Sequence, residues 1–224
     1  MAERLDRWIG VALDGQIKPG SSNPAVIGGN AIAVWRAEKG PANVWEDRCP
    51  HRGMRLSFGF VREGMLRCIY HGWGYEPGGH CASIPAHPDL APPKTICANV
   101  YRSKERYGII WTNLSESPNA PLPDAGPDQG WQSIRSVYVA RQVVAVKGGL
   151  ATFDWSGGRV EEIGEEAAFV SAGELSLLIA IQPVDERKTG LHVVAKGDGA
   201  KDVKARLAWA ARLERLRGSI EAQS

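Results

Sequence analysis

Cys49-Pro50-His51-Arg52-Gly53 and Cys68-Ile69-Tyr70-His71-Gly72-Trp73 set a Cys-x-His pair and a Cys-x-x-His pair sixteen residues apart. Two thiolates and two imidazoles in this mixed order suit a binuclear iron centre with bridging sulfides, in which two cysteines hold one iron and two histidines the other. Two ferric ions, two sulfides and two thiolates sum to zero charge, whereas four thiolates would leave two negative charges. The neutral centre takes up an electron more readily. Its potential therefore lies in the range of roughly −150 to +300 mV, against about −400 mV for an all-cysteine plant-type cluster. The candidate ligands are Cys49, His51, Cys68 and His71. Pro50, Arg52, Gly53, Tyr70, Gly72 and Trp73 are the candidate cradle, with Pro50 and Trp73 expected to keep water away.

A structural zinc site is the rival use of two cysteines and two histidines. Zinc motifs pair Cys with Cys and His with His within each short element, and here each element is mixed. Gly53, Gly59, Gly72 and Pro50 mark both segments as tight loops rather than pieces of a plain core.

Short strand-like runs flank these loops. Residues 31–36, 42–45, 65–68 and 108–111 have β-type composition, with turns expected at 38–40, 62–64 and 77–79. This reads as a small β domain over residues 1–115. Residues 116–130 hold Pro118, Pro121, Pro123 and Pro127 among Gly, Asp and Asn, which suits a linker. In the region 131–224, strands are expected at 136–146 and 175–184, a hairpin turn at Trp155-Ser156-Gly157-Gly158, and another turn at 185–190. A helix capped by Asp202 is expected to run to about Ala222, with Val203, Leu207, Ala210, Leu213 and Leu216 on one face. The fold class is mainly β (α+β), a curled sheet with a C-terminal helix following the first domain.

Residues from about Trp8 to Leu114 resemble the Rieske domain of the Rieske non-haem iron oxygenases, in their aromatic-acid demethylase and ring-hydroxylating branch. The likeness lies in Glu46-Asp47-Arg48-Cys49-Pro50-His51-Arg52-Gly53, Cys68-Ile69-Tyr70-His71-Gly72-Trp73, Gly79-His80-Cys81-Ala82-Ser83-Ile84-Pro85-Ala86 and Glu105-Arg106-Tyr107-Gly108-Ile109-Ile110-Trp111. It implies one Rieske [2Fe–2S] cluster per chain. Respiratory Rieske subunits fit less well, since Met54 and Ile69-Tyr70 stand where they carry an extra pair of cysteines. Residues 175–196 and the last helix resemble, more weakly, the end of the family's helix-grip catalytic domain in shortened form.

The full oxygenases oxidise substrate at a mononuclear iron held by two histidines and a carboxylate. Beyond the first domain this chain has one histidine, His192, and lacks the family's Asp/Glu-x-x-His-x-x-x-x-His segment, so no mononuclear iron is expected in it. His80, His87 and His192 read as surface or partly buried imidazoles. Trp131, Tyr138, Phe153, Trp155, Phe169 and Trp209 read as core rather than as a substrate pocket, and the basic residues of the last helix as a solvated face.

Composition agrees with a soluble protein: of 224 residues, 43% are hydrophobic and 23% charged, enough for a proper core. A net charge of +2 gives no ground for nucleic acid or an anionic membrane. No apolar run approaches the ~20 residues that span a bilayer and no secretory signal is visible, so a cytoplasmic setting is expected. Cys81 and Cys97 then read as small buried apolar residues rather than a disulfide.

The preferred reading is an oxidoreductase component that takes single electrons from a reductase or ferredoxin and passes them to a mononuclear iron in a partner subunit of a Rieske oxygenase, within an oligomer. The alternatives are a complete terminal oxygenase, a hydroxylase or an O/N-demethylase with an unrecognised iron site, and a non-enzymatic assembly or redox-sensing subunit.

Overall fold

A computed structural model describes residues 6–172 and 175–223. Apolar runs separated by glycine turns build the first part. Strands β1 (Ile9–Leu13), β2 (Ser21–Ile27), β3 (Asn30–Arg36) and β4 (Ala42–Glu46) belong to one antiparallel sheet. The chain then leaves that sheet for a smaller one made of β5 (Phe60–Arg62), β6 (Met65–Arg67), β7 (Gly74–Tyr75) and β8 (Cys81–Ser83). It returns through β9 (Val100–Arg106) and β10 (Ile109–Asn113). The large sheet runs β1-β10-β9-β4-β3-β2 and the small one β5-β6-β7-β8. Both candidate ligand loops belong to this excursion, one after β4 and one between β6 and β7.

Residues 116–130 form neither helix nor strand, yet they are not a free tether. Trp8 Nε1 donates to Ala120 O at 2.9 Å, the Tyr107 hydroxyl to Asp124 at 3.0 Å, and Trp131 Nε1 to Pro127 O at 3.1 Å. This stretch straps the two halves together.

The second half consists of β11 (Gln132–Val139), α1 (Val143–Thr152), β12 (Arg159–Glu162), β13 (Ala167–Ala172), β14 (Leu175–Asp185), β15 (Lys188–Lys196) and α2 (Val203–Glu221). Its sheet runs β11-β15-β14-β13-β12, antiparallel throughout. One core cluster joins Trp8, Leu13, Ile109 and Trp111 of the first sheet to Leu178, Ala180 and Val194 of the second. Gly10 permits the close approach, because a Cβ there would lie 2.5 Å from Ala180 Cβ.

Several sequence expectations need correction. The run 136–146 is not one strand: β11 ends at Val139 and α1 begins at Val143. The β-branched Val143, Val144 and Val146 favour a strand locally, but tertiary packing overrides that preference. Ala140 N donates to Glu221 Oε1, turning the chain, and Gly149 lets α1 lie directly on Ile220 of α2, whose side chain would be 2.3 Å from an added Cβ. Trp155-Ser156-Gly157-Gly158 joins α1 to β12 and is not a hairpin. Asp202 does cap α2, accepting from the amides of Lys204 and Ala205, but the helix buries Leu213, Leu216 and Ile220, while Val203 and Leu207 are exposed. Cys81 is buried as expected and Cys97 is exposed, at the edge of the β8 segment.

Candidate metal centre

The two ligand loops are folded alike by their own backbones. In the first, the Cys49 amide donates to Met54 O (2.8 Å) and the Gly53 amide to Cys49 O (2.8 Å). In the second, the Cys68 amide donates to Trp73 O (2.9 Å) and the Gly72 amide to Cys68 O (2.8 Å). Each closure needs a left-handed residue four positions after the cysteine, and glycine supplies it with φ of +73° at Gly53 and +71° at Gly72. The cysteines lie at the roots of the loops and the histidines near the tips.

Burial separates the donor types. Cys49 and Cys68 are each 2% exposed and share a core with Trp35, Trp45, Leu56, Leu66 and Tyr75. Burial pushes the Cys68 thiol up, and its neighbour Cys49 pushes in the same direction. The rings of His51 and His71 lie 4.7 Å apart, His51 half-buried and His71 exposed. Trp73 stacks flat on His51 at 4.0 Å and Tyr70 lies 4.0 Å from the His71 ring. Burial, helped by the charges of His71 and Arg52, lowers the His51 pKa and favours the neutral imidazole that binds metal. Tyr70, Ile69, Pro50 and Arg52 are exposed, so Pro50 does not form part of an inner screen against water.

Among the described residues, no group of three or more His, Cys, Asp or Glu converges on a point fit for a single metal ion. The four candidates form a buried sulfur pair and a surface imidazole pair. A closed zinc site needs all four donors around one centre. Two separate pairs can instead each take one iron of a binuclear cluster, and this donor set fits such a cluster chemically.

Three residues that sequence reasoning passed over complete the site. The Tyr75 hydroxyl lies 3.1 Å from Cys49 Sγ, brought there by the pairing of β7 with β6, and burial raises its pKa. Asp47 is buried and accepts from Arg55 Nε (2.7 Å), Ser57 N (2.6 Å) and Ser57 Oγ (2.6 Å), tying together the two ends of the first loop. Pro85 covers the second loop, and a Cβ on Gly72 would come within 3.0 Å of its Cγ. The alternation Trp73-Gly74-Tyr75 was a signal for Tyr75; Asp47 and Pro85 had none beyond adjacency to the motifs.

Over residues 7–95 the chain matches the family model of the Rieske [2Fe-2S] domain. It is 40% identical over 119 residues to Oxidoreductase NdmD of Pseudomonas putida, which covers 53% of this chain and 20% of that protein. It is 39% identical over 123 residues to the 4beta-methylsterol monooxygenase of Methylococcus capsulatus, covering 52% and 33%. The aligned part of the chain therefore spans a third or less of these curated relatives. In fold, the chain is similar to NdmA of Pseudomonas putida CBB5 (TM-score 0.77, 19% identity, 97% of this chain and 81% of that one) and to dicamba monooxygenase bound to dicamba (TM-score 0.77, 19%, 97% and 86%). The Rieske β domain with its following sheet and C-terminal helix thus has the fold of Rieske oxygenases, and its relatives are Rieske oxygenase components. No helix among the described residues is long and apolar enough to cross a membrane.

Two predictions attach to this geometry. Tyr75→Phe removes a hydrogen bond that favours extra negative charge on the sulfur, worth on the order of 1 kcal/mol. The midpoint potential of the loaded protein should fall by about 40 mV, the one-electron equivalent of that energy at about 59 mV per tenfold; redox titration reads it, and an unchanged potential contradicts the contact. Gly72→Ala forces a left-handed alanine against Pro85, at a cost of about 1–3 kcal/mol. The expected result is a lower melting temperature together with reduced iron content, measured on the same preparation.

Proposed function

We propose that Cys49 and Cys68 hold one iron, and His51 and His71 the other, of a single Rieske cluster, and that the chain is the electron-transfer component of a Rieske oxygenase system. The observation that carries this reading is the division of the four donors into a buried thiol pair and a surface imidazole pair. When bound, the cluster supplies reversible one-electron uptake. The chain's residues do the rest. The Trp35–Trp45 core and Tyr75 keep the sulfur end dry and hydrogen-bonded, while Trp73 fixes the plane of His51. Exposed His71 presents its ring at the surface, where an outward nitrogen can donate to an acceptor's carboxylate.

The donor in this reading is a reductase or ferredoxin, and the acceptor is a subunit that holds mononuclear iron. What supports the second assignment is the state of the histidines outside the loops. His80, bridged to Cys97, and His87, in the bend after β8, are both exposed. His192, expected at or near the surface, is instead buried, with Nδ1 2.7 Å from Ser136 Oγ and Nε2 2.8 Å from Gln182 Oε1, so both its nitrogens are engaged. The test is oxygen consumption with a reductase and NADH. The account expects none above background from this chain alone, and coupled turnover once an iron-bearing oxygenase subunit is added. Substrate oxidation by the chain with reductase alone would establish the complete oxygenase instead.

A further inference from the structure

The two ligand loops carry positive charge that the fold does not pair. Between residues 48 and 75 stand Arg48, Arg52, Arg55, Arg62 and Arg67, against Glu63 alone. Arg55 is taken up by buried Asp47 at 2.7 Å, while Arg67 and Arg62 share Glu63 at 2.7 and 3.8 Å. Among the described residues no carboxylate pairs with Arg48 or Arg52. Both lie at the imidazole end. Arg48 runs along the first loop, its Nε 3.7 Å from where a Cβ on Gly53 would stand, and Arg52 is close enough to His51 for its charge to act on that ring.

The second loop supplies the apolar part of the same end. Ile69 and Tyr70 are each 59% exposed, and Tyr70 lies against the ring of exposed His71. The turn that lays Pro85 over Gly72 continues to an exposed Leu90, beside Asp89. Scattered exposed apolar residues need no explanation, but two in succession at a loop tip, next to imidazole and rimmed by arginine, have the composition of an interface centre. The thiol end offers no comparable approach, because Trp35 and Trp45 close it off and are themselves fully buried. An electron partner therefore meets arginine and apolar surface together.

We propose that this face docks a one-electron donor protein of acidic surface, whose carboxylates meet Arg48 and Arg52 around a contact on Ile69 and Tyr70. The assignment rests on the electron-transfer reading and adds the surface chemistry of the partner. One electron leaves the donor's reduced centre and enters the loaded chain by the His51–His71 edge, with no bond formed or broken.

Stopped-flow reduction of the loaded chain by a reduced plant-type ferredoxin tests it. That probe is acidic, and its potential of about −400 mV lies below the range of a Rieske centre, so the transfer runs downhill. The second-order rate should fall at least tenfold between low salt and ~1 M, where the screening length is about 3 Å. Arg48→Glu should lose about tenfold at low salt and converge on wild type at high salt, and Arg48→Gln should lose about threefold. Lys204→Glu, the same change of net charge at the exposed start of α2, should stay within about twofold of wild type. The wild-type salt dependence is decisive even if an Arg48 variant loads poorly. Iron content and the electron paramagnetic resonance signal after dithionite are read on each preparation. Wild-type protein lacking a Rieske-type signal would overturn the electron-transfer reading and this proposal with it. With the signal present, a rate indifferent to salt, unchanged or raised in Arg48→Glu, or slowed equally by Lys204→Glu would overturn the docking face alone.

Discussion

Replacing His71 by cysteine is expected to lower the midpoint potential of the loaded protein by on the order of hundreds of millivolts, toward the roughly −400 mV of all-thiolate clusters. The cause is charge. A neutral imidazole becomes a thiolate, the oxidised centre gains one negative charge, and adding an electron becomes harder. His71 is the better of the two positions for this, because its ring is exposed and is met by a tilted Tyr70 rather than by a flat stack like that of Trp73 on His51. His51→Cys should shift the potential in the same direction, with a lower yield of loaded protein, since Trp73 loses the ring it packs on. Redox titration followed by electron paramagnetic resonance measures both. A further sign distinguishes imidazole from thiolate: the wild-type potential falls as pH rises through the ionisation of the ligated rings, and the substituted protein loses part of that slope. A potential unmoved by either substitution would remove these histidines from the ligand set.

The second large effect concerns stability. His192 lies where the two sheets meet and is fully buried; burial lowers its pKa from the ordinary 6.5 to about 4. Gln182 Nε2 donates to Val26 O of β2, which turns Oε1 toward His192 and makes His192 Nε2 the donor. Nδ1 then accepts from Ser136, which also lies 2.9 Å from Gln16 Oε1 and has one proton for two acceptors. Protonating Nδ1 would satisfy that shortage and recover one hydrogen bond, about 1 kcal/mol. Desolvating a full charge costs several times more, so the neutral ring prevails.

Between pH 4 and 6.5 the unfolded chain binds this proton and the folded one does not. Stability contributed by His192 is therefore complete above about pH 7 and is lost as pH falls toward 4, by about 3 kcal/mol in all. Denaturant melts across that range should show the slope, and His192→Gln should flatten it even though it lowers stability at neutral pH. A slope identical in wild type and variant would assign the acid sensitivity to other groups. Because Gln16 and Val26 belong to the first half while Ser136, Gln182 and His192 belong to the second, the same protonation loosens the junction between them.

The parts of this protein that were legible in its sequence are those whose causes are local. The two Cys/His loops, Cys49–Gly53 and Cys68–Gly72, each closed by a left-handed glycine, are each specified within five residues, and the Asp202 cap of α2 is as local. What sequence did not show depends on distant packing. Tyr75 reaches Cys49 only through the β6–β7 register, and Asp47 binds Ser57 across a loop. The valines of α1 suggest a strand until α2 folds against Gly149. His192 gave no sign of burial because a single imidazole among apolar residues fits a half-exposed strand as well as a buried one, and its partners Ser136 and Gln182 come from two other strands.

The most direct test is an anaerobic count of iron, acid-labile sulfide and zinc on the purified chain, combined with electron paramagnetic resonance after reduction. The account predicts two irons and two sulfides per chain, no stoichiometric zinc, a Rieske-type signal, and nitrogen couplings that diminish in His71→Cys. One zinc per chain, or a third iron with a separate ferrous site, would contradict it.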